Sequence, residues 1–278
     1  MLSKTTFKLL IQVPAVLALL LHFAISPAKG ERSSMACAQS LGTTPIMGAR
    51  LERELEVLSW NMQKASNAGW AQDLATFSDG VHLTFLQEAS LQAAIPDVIA
   101  GDLYAVFAQG YTTRNQATGV MTLSTKRHTT DCQFTALEPW LGTPKATAIS
   151  EYPLADRDDR LLAINLHSVN FDLGMASFNA QLATLSDVLA SHRGPAIVAG
   201  DLNTWSSERQ NAVDNFMREH GLDAIAFEPD LRTRTLGRAL DHIYVRGMEA
   251  QLAQVIPVTS SDHNPLRVRL TIHSRGTQ

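Results

Sequence analysis

Strands alternating with helices, some of them joined directly as hairpins, predict an α/β sandwich in which helices cover two sheets that face each other. Three observations carry that expectation. Apolar runs, either alternating or unbroken, recur from residue 54 to residue 272; stretches of helical period separate several of them; and a turn over Asp156-Arg157-Asp158-Asp159 joins two runs without room for a crossover helix. With 278 residues, 45% of them hydrophobic, the chain can bury one sizeable core or two small ones.

The N-terminus stands apart. MLSKTTFK is a basic lead, LLIQVPAVLALLLHFAI an apolar run, and SPAKGERSS returns to small and polar residues, so residues 1–30 read as a signal peptide, with an uncleaved membrane anchor through residues 9–25 as the alternative. Cleavage is expected after Ala28-Lys29-Gly30 or Ala36-Cys37-Ala38, and the protein is expected to be exported to the periplasm or medium, or anchored at a membrane. Residues 31–53, rich in Ser, Thr, Gly and Ala, predict a linker, and residues 273–278 a tail.

In chain order, Leu55, Val57 and Leu58 lead into a strand ending at Trp60-Asn61. Trp70, Leu74 and Phe77 mark a helix, Val81 to Gln87 a second strand, and ASLQAAIPDVIAG a short helix. Strands are expected over residues 104–108, 119–124 and 146–152, with a hairpin from the last into residues 160–166. Phe178, Leu182, Leu185 and Leu189 share one face of a helix closed by Gly194-Pro195; AIVAG is a buried strand; and Ser207 with Gln210 suggests a capping box for the helix bearing Val213, Phe216 and Met217. Leu266, Val268 and Leu270 alternate with Arg267 and Arg269 in a last, half-buried strand entered at Pro265.

The formal charge of -4 offers no basic surface of the kind that binds duplex nucleic acid by charge alone, and without residues 1–30 only 20 basic residues face 27 acidic ones. Cys37 and Cys132 have no CxxC neighbour, which argues against thiolate metal binding. They could pair in an oxidising compartment, or be parted if processing removes Cys37.

Polar residues gather at strand ends, and each apolar strand is expected to deliver one at its C-terminal lip: Asn61 after LEVLSW, Glu88 after HLTFLQ, Asn165 and His167 in LLAINLHSVN, Asp201 and Asn203 in AIVAGDLN, with Asp241 in RALDHIYVRG and Asp262-His263 at the mouth of the last strand. Asn and Asp are ordinary turn formers, so one such end means little. Six on one edge would repel each other without a cation, which points to a hard metal with oxygen ligands and to chemistry on phosphate.

In their order and spacing, WNMQ, LQEA, LHSVN, GDLN, LDHIYV and SDHNP resemble the endonuclease/exonuclease/phosphatase superfamily, the deoxyribonuclease-I-like proteins, over residues 54–272. GVMTLS and LHSVNFDLG resemble a bacterial branch of it. The resemblance implies a four-layer sandwich of two face-to-face β-sheets flanked by helices, a catalytic domain over 54–272, and a monomer. It also implies a Mg²⁺-dependent phosphodiesterase, with Mn²⁺ or Ca²⁺ as substitutes, using in-line attack of water. DNA is the first substrate expected, phospholipid the second, and inositol or nucleotide phosphates the third; a fold-sharing binding protein without turnover is the non-enzymatic alternative. In the roles it implies, Glu88 is the principal metal ligand with Asn61 and Asp262 lining the metal site directly or through water, Asp201 orients or deprotonates the water or holds a second metal, Asn203 donates to a phosphate oxygen, and His263 contacts the scissile phosphate with Asp241 behind it. His167 is the general acid or a phosphate donor; Asn165, two residues before it, shares its face and is a candidate for steering substrate. No Asp or Glu in residues 103–130 is available to orient His167, as the nuclease branch would have it. His242 alternates onto the opposite face from Asp241 and is expected to be structural. Asn170 and Trp205 lie beside the site, and Lys64, Arg114, Lys126 and Arg127 are expected to be solvated surface.

Overall fold

Apolar residues two apart on the strands, and three or four apart on the helices, sort into three layers of core separated by two sheets. The computed structural model describes residues 33–274, apart from 114 and 173. Its strands are β1 (Glu54–Asn61), β2 (Leu83–Ser90), β3 (Tyr104–Thr112), β4 (Ala117–Ser124), β5 (Thr130–Leu137), β6 (Pro144–Pro153) and β7 (Arg160–His167). Then follow β8 (Ala196–Asp201), β9 (Asp223–Ala224), β10 (Arg234–Thr235), β11 (Arg238–Ala239), β12 (Asp241–Arg246), β13 (Met248–Val255) and β14 (Leu266–Ile272). The helices are α1 (Ser34–Ser40), α2 (Trp70–Phe77), α3 (Ala176–Ala183), α4 (Ser186–Ser191) and α5 (Ser207–Glu219).

One sheet runs β13-β14-β1-β2-β4-β3 and the other β5-β6-β7-β8-β12-β9, each with a single parallel pair, β1 with β2 and β7 with β8. Between the sheets lie Leu55, Val57, Leu83, Phe85, Leu161, Ala163, Ile197, Ala199, Ile243, Val245, Val268 and Leu270, contributed at every second position of six strands. The outer face of the second sheet packs against α3, α4 and α5 through Phe178, Leu182, Leu189, Val213 and Met217. Leu74 of α2 packs on the outer face of the first, over Leu58, Trp60 and Leu86. This is the expected four-layer sandwich.

Several local expectations need correction. The helix through Phe178 and Leu189 is two helices, α3 and α4, broken at Thr184-Leu185. The cap of α5 is Ser206, whose hydroxyl accepts from the Arg209 amide, one residue before the expected Ser207. Thr130–Leu137 and Met248–Val255 are strands that the pattern did not reveal, because both are half-exposed edges with mixed polarity.

The stretch expected to be a linker is largely part of the folded body. Cys37 of α1 is buried and disulfide-bonded to Cys132 of β5, closing a separation of 95 residues. Further on, Gly42 N–H donates to the Glu151 carboxylate (3.0 Å), and Arg160, paired with Glu151 at 2.8 Å, also donates to the Thr44 carbonyl (2.7 Å). Leu51 then bridges to Leu154. A covalent tie and a buried ion pair hold this segment where its composition suggested freedom. The leader, residues 1–30, lies outside the described residues; among those described, no helix is long and apolar enough to cross a membrane.

Candidate active site at the polar end of the core

The inward face of the second sheet changes character at one end. Moving up β7 it reads Leu161, Ala163, Asn165, His167; up β8, Ile197, Ala199, Asp201; and along β12 in reverse, Val245, Ile243, Asp241. The register pairs His167 with Asp201 and Asp201 with Asp241, so the three side chains stand in a row across three neighbouring strands. Gly200 makes the row feasible: at φ +147°, a Cβ there would lie 2.0 Å from the Leu166 carbonyl oxygen, so only glycine lets β8 approach β7 this closely.

Not every polar group sits at the C-terminal end of its strand, as the sequence pattern suggested. Asp241 opens β12, and Asp262-His263 precede β14. They reach the same edge because β12 and β14 run antiparallel to β8 and β1. The backbone at His263 is pinned there: its carbonyl accepts from the Trp60 indole (2.9 Å), and its amide donates to the Ser261 hydroxyl (3.1 Å), which itself donates to the Asn61 carbonyl (2.7 Å).

Two imidazoles flank one carboxylate. Asp201 Oδ2 lies 3.4 Å from His167 Nε2 and 4.0 Å from His263 Nε2. Behind His263, Nδ1 is 2.8 Å from Asp241 Oδ2. Burial alone would lower the pKa of His263, but the carboxylates of Asp241, Asp201 and Asp262 outweigh it and push it up to about 10. His167 is the opposite case. Burial, then the Lys145 ammonium and the charges of His263 and Lys64, hold it well below the usual histidine value. Lys145 Nζ lies 2.8 Å from His167 Nε2, closer than Asp201, a geometry that favours a neutral ring whose Nε2 accepts from the ammonium. Asp201 itself is raised, chiefly by burial and against the pull of His263, with the nearby Asp241 adding to the rise. Its Oδ2 accepts from Asn61 Nδ2 (3.0 Å) and its Oδ1 from the Asn203 amide (3.1 Å).

Glu88 comes from the first sheet by a different device. The ladder between β2 and β4 slips between Leu86 and Ala89, and Glu88 adopts a left-handed conformation at φ 49°. Such a bulge re-aims one side chain. Here the carboxylate lines a pocket of about 340 Å³ shared with His167, Lys145 and Lys64. Its partner is Lys64, at 3.6 Å, an exposed lysine as expected that nonetheless lines the same pocket.

Asn61 Oδ1 accepts from the Gln63 amide (3.1 Å), and Asp262 is exposed. Among the described residues, no three His, Cys, Asp or Glu side chains form a ready-made metal cluster. The donor set nonetheless suits a hard divalent cation: two solvent-reachable carboxylates, Glu88 and Asp262, and the second lone pair of the Asn61 amide oxygen, with no sulfur or imidazole. Asn203, expected to donate to a phosphate oxygen, keeps part of that capacity. Its Nδ2 already donates to the Ser168 carbonyl (3.0 Å), which leaves its second N–H for a ligand.

Asn165 is a correction. It shares a face with His167 but is fully buried, donating to the carbonyls of Leu86 (3.2 Å) and Met121 (3.0 Å) and accepting from Gln87 (2.7 Å). It clasps the two sheets beneath the site and does not reach substrate. His242 is structural, as expected: its ring pairs with the Thr204 hydroxyl (2.7 Å) and Arg232 (3.2 Å). Asn170 accepts from the Trp205 indole (3.0 Å). Arg114 lies outside the described residues. Lys145, Glu138 and Arg209 escaped the sequence reading, since no strand-end motif contains them. Arg209, buried between the rings of Trp205 and Phe178, donates to the carbonyls of Val169 (2.6 Å) and Asn170 (2.9 Å) and so holds the loop after His167.

The family model described as "Endonuclease/Exonuclease/phosphatase family" matches residues 58–263. A UPF0294 protein of Vibrio vulnificus strain YJ016 is 41% identical over 223 residues, covering 80% of this chain and 78% of that one. A UPF0294 protein of Erwinia tasmaniensis is 38% identical over 233 residues, 82% and 84% of the two chains. Among solved structures, an endonuclease/exonuclease/phosphatase from Beutenbergia cavernae superposes with TM-score 0.64 at 15% identity, covering 81% of this chain and 73% of that one. The human Nocturnin catalytic domain with bound sulfate superposes with TM-score 0.59 at 15% identity, covering 81% and 96%. At such identities these two speak for the fold alone. With the family match spanning the edge from β1 to His263, the chain belongs to the endonuclease/exonuclease/phosphatase family.

Proposed function

We propose that this protein hydrolyses phosphodiesters with the help of a divalent cation, Mg²⁺ first, and that DNA is the substrate the motif set favours. The observation that supports it most is the placing of two imidazoles on one buried carboxylate, with Asp241 behind one and Lys145 beside the other, and with the two rings shifted in opposite directions. Asp201, its affinity for a proton raised by burial, takes the proton of the attacking water as the new P–O bond forms. His263, held as an imidazolium by Asp241, faces the phosphate with a positive N–H. The neutral His167 has no proton on Nε2 to give, so the general-acid role expected of it passes to His263, which protonates the leaving oxygen as the old P–O bond breaks. Glu88, Asn61 and Asp262 would hold the cation, which when bound neutralises charge developing on the phosphate.

A second reading, phospholipid hydrolysis, has an observation of its own. Trp140, Leu141 and Phe171 are 66%, 57% and 54% exposed, and with Trp205 they line an apolar groove of about 620 Å³ adjoining the pocket. The test is a panel of plasmid DNA, sphingomyelin and phosphatidylcholine vesicles, and inositol phosphates, each with Mg²⁺, Mn²⁺ or chelator. Chelator-sensitive cleavage of at least one diester is expected, and the substrate turned over fastest chooses between the readings. No hydrolysis anywhere, by folded protein, would leave the binding-protein alternative.

A further inference from the structure

Lys145 is the second residue of β6, after Pro144, and its ammonium is a polar contact of the His167 ring that the motif set did not foresee. An ammonium has three N–H donors. One serves His167 Nε2 at 2.8 Å, a neutral acceptor that offsets none of its charge. The nearest carboxylate, Glu138, stands 3.8 Å away and is already committed, accepting from the Thr143 hydroxyl (2.7 Å) and the Asn170 amide (2.9 Å). The Lys145 side chain is only 16% exposed, and what exposure it has is on the pocket that also holds Glu88, Lys64 and His167. A cation fixed in this way, with its charge only partly balanced and a donor to spare, suits an anionic oxygen.

We propose that Lys145 is a substrate-binding residue that donates to a non-bridging phosphoryl oxygen in the pocket, from the wall it shares with His167. Substrate oxygen takes the N–H that His167 leaves free, and Glu138 balances part of the ammonium charge. The phosphoryl identity of the anion rests on the phosphoester reading above; the anion site rests on Lys145, His167 and Glu138.

The test uses the full chain and inorganic phosphate as the probe, measured by titration calorimetry with chelator present, so that it depends neither on turnover nor on a cation. Wild type is expected to bind phosphate, Lys145→Met to bind it about tenfold more weakly, and Lys145→Arg to stay within about threefold. Glu138→Gln, which leaves the ammonium in place and removes its countercharge, should bind phosphate as tightly as wild type or more tightly. Lys126→Met, at the opposite end of the first sheet from Glu88, should match wild type. Lys145→Met binding phosphate like wild type, or Glu138→Gln binding it more weakly while melting like wild type, overturns the proposal, as does a wild-type chain that binds no phosphate. If Lys145→Met does not fold, the Arg and Glu138→Gln variants decide. Phosphate binding without hydrolysis of any ester would instead remove the functional reading and leave the anion site standing.

Discussion

The two sheets follow one plan and end differently. Read from their hairpin edges, β13-β14-β1-β2-β4-β3 and β5-β6-β7-β8-β12-β9 each have an antiparallel pair, a strand antiparallel to it, a parallel neighbour reached through helix, and two further antiparallel strands. In the second sheet the register runs unbroken to the edge, and His167, Asp201 and Asp241 stand in a buried row. The corresponding edge of the first sheet is interrupted: a bulge turns out Glu88, and Asp262 lies exposed on the loop that feeds β14. A regular ladder holds titratable groups close, dry and strongly coupled. An irregular one leaves a carboxylate at the water's edge, where a hydrated cation can reach it.

The largest effect should come from breaking the second sheet's register. Gly200→Ala places a methyl 2.0 Å from the Leu166 carbonyl, and β7 and β8 cannot part without opening the core. Loss of soluble, cooperatively folding protein is expected, seen by circular dichroism and urea melts. A natively stable Ala variant would mean that the row does not need close approach.

Next, the buried row should behave as a unit. His263→Ala should lower diester hydrolysis about a thousandfold, and His263→Ala/Asp241→Asn should be scarcely worse, because Asp241 acts through the ring 2.8 Å away. Fully multiplicative losses in kcat/KM would give Asp241 a task of its own.

The first sheet's carboxylate should respond to cation and the row should not. Glu88→Gln is expected to cost about a hundredfold in activity at fixed Mg²⁺, with the loss partly recovered as Mg²⁺ rises. Equal activity and an unchanged cation requirement would sink Glu88 as a ligand.

The smallest effect tests coupling on the second sheet's outer face. Burial, then the Arg232 charge, lower His242 to about 4, below its unfolded value of about 6.5. A depressed folded pKa means stability that is complete above pH 6.5 and lost as pH falls toward 4, amounting to about 2 kcal/mol between pH 7 and pH 5. His167, also depressed, adds a loss of the same sign; His263, raised to about 10, loses its contribution only above neutrality. Urea melts at pH 7 and pH 5 should therefore show a smaller drop for His242→Gln than for wild type. An identical drop in both would assign the acid sensitivity elsewhere.

Much of this was written in local pattern. Apolar runs, alternating in β14 and unbroken in β8, specified strands, and because a strand's faces alternate, His242 could be placed on the opposite face from Asp241. The ordered strand-end motifs named Asn61, Glu88, Asp201, Asp241, Asp262 and His263. Tertiary structure alone decided what depends on neighbours distant in sequence. Asn165 has the same face and spacing as a substrate residue, yet the opposite sheet caps it and makes it a clasp. Cys37 sits in a stretch with a linker's composition, and the partner that orders it is 95 residues away. His167 is held below the usual histidine value first by burial and then by Lys145, a lysine without a motif, brought alongside by the β6–β7 pairing. Periodicity reports which way a side chain points; what it meets there, and therefore its charge, is a property of packing between segments that no local pattern contains.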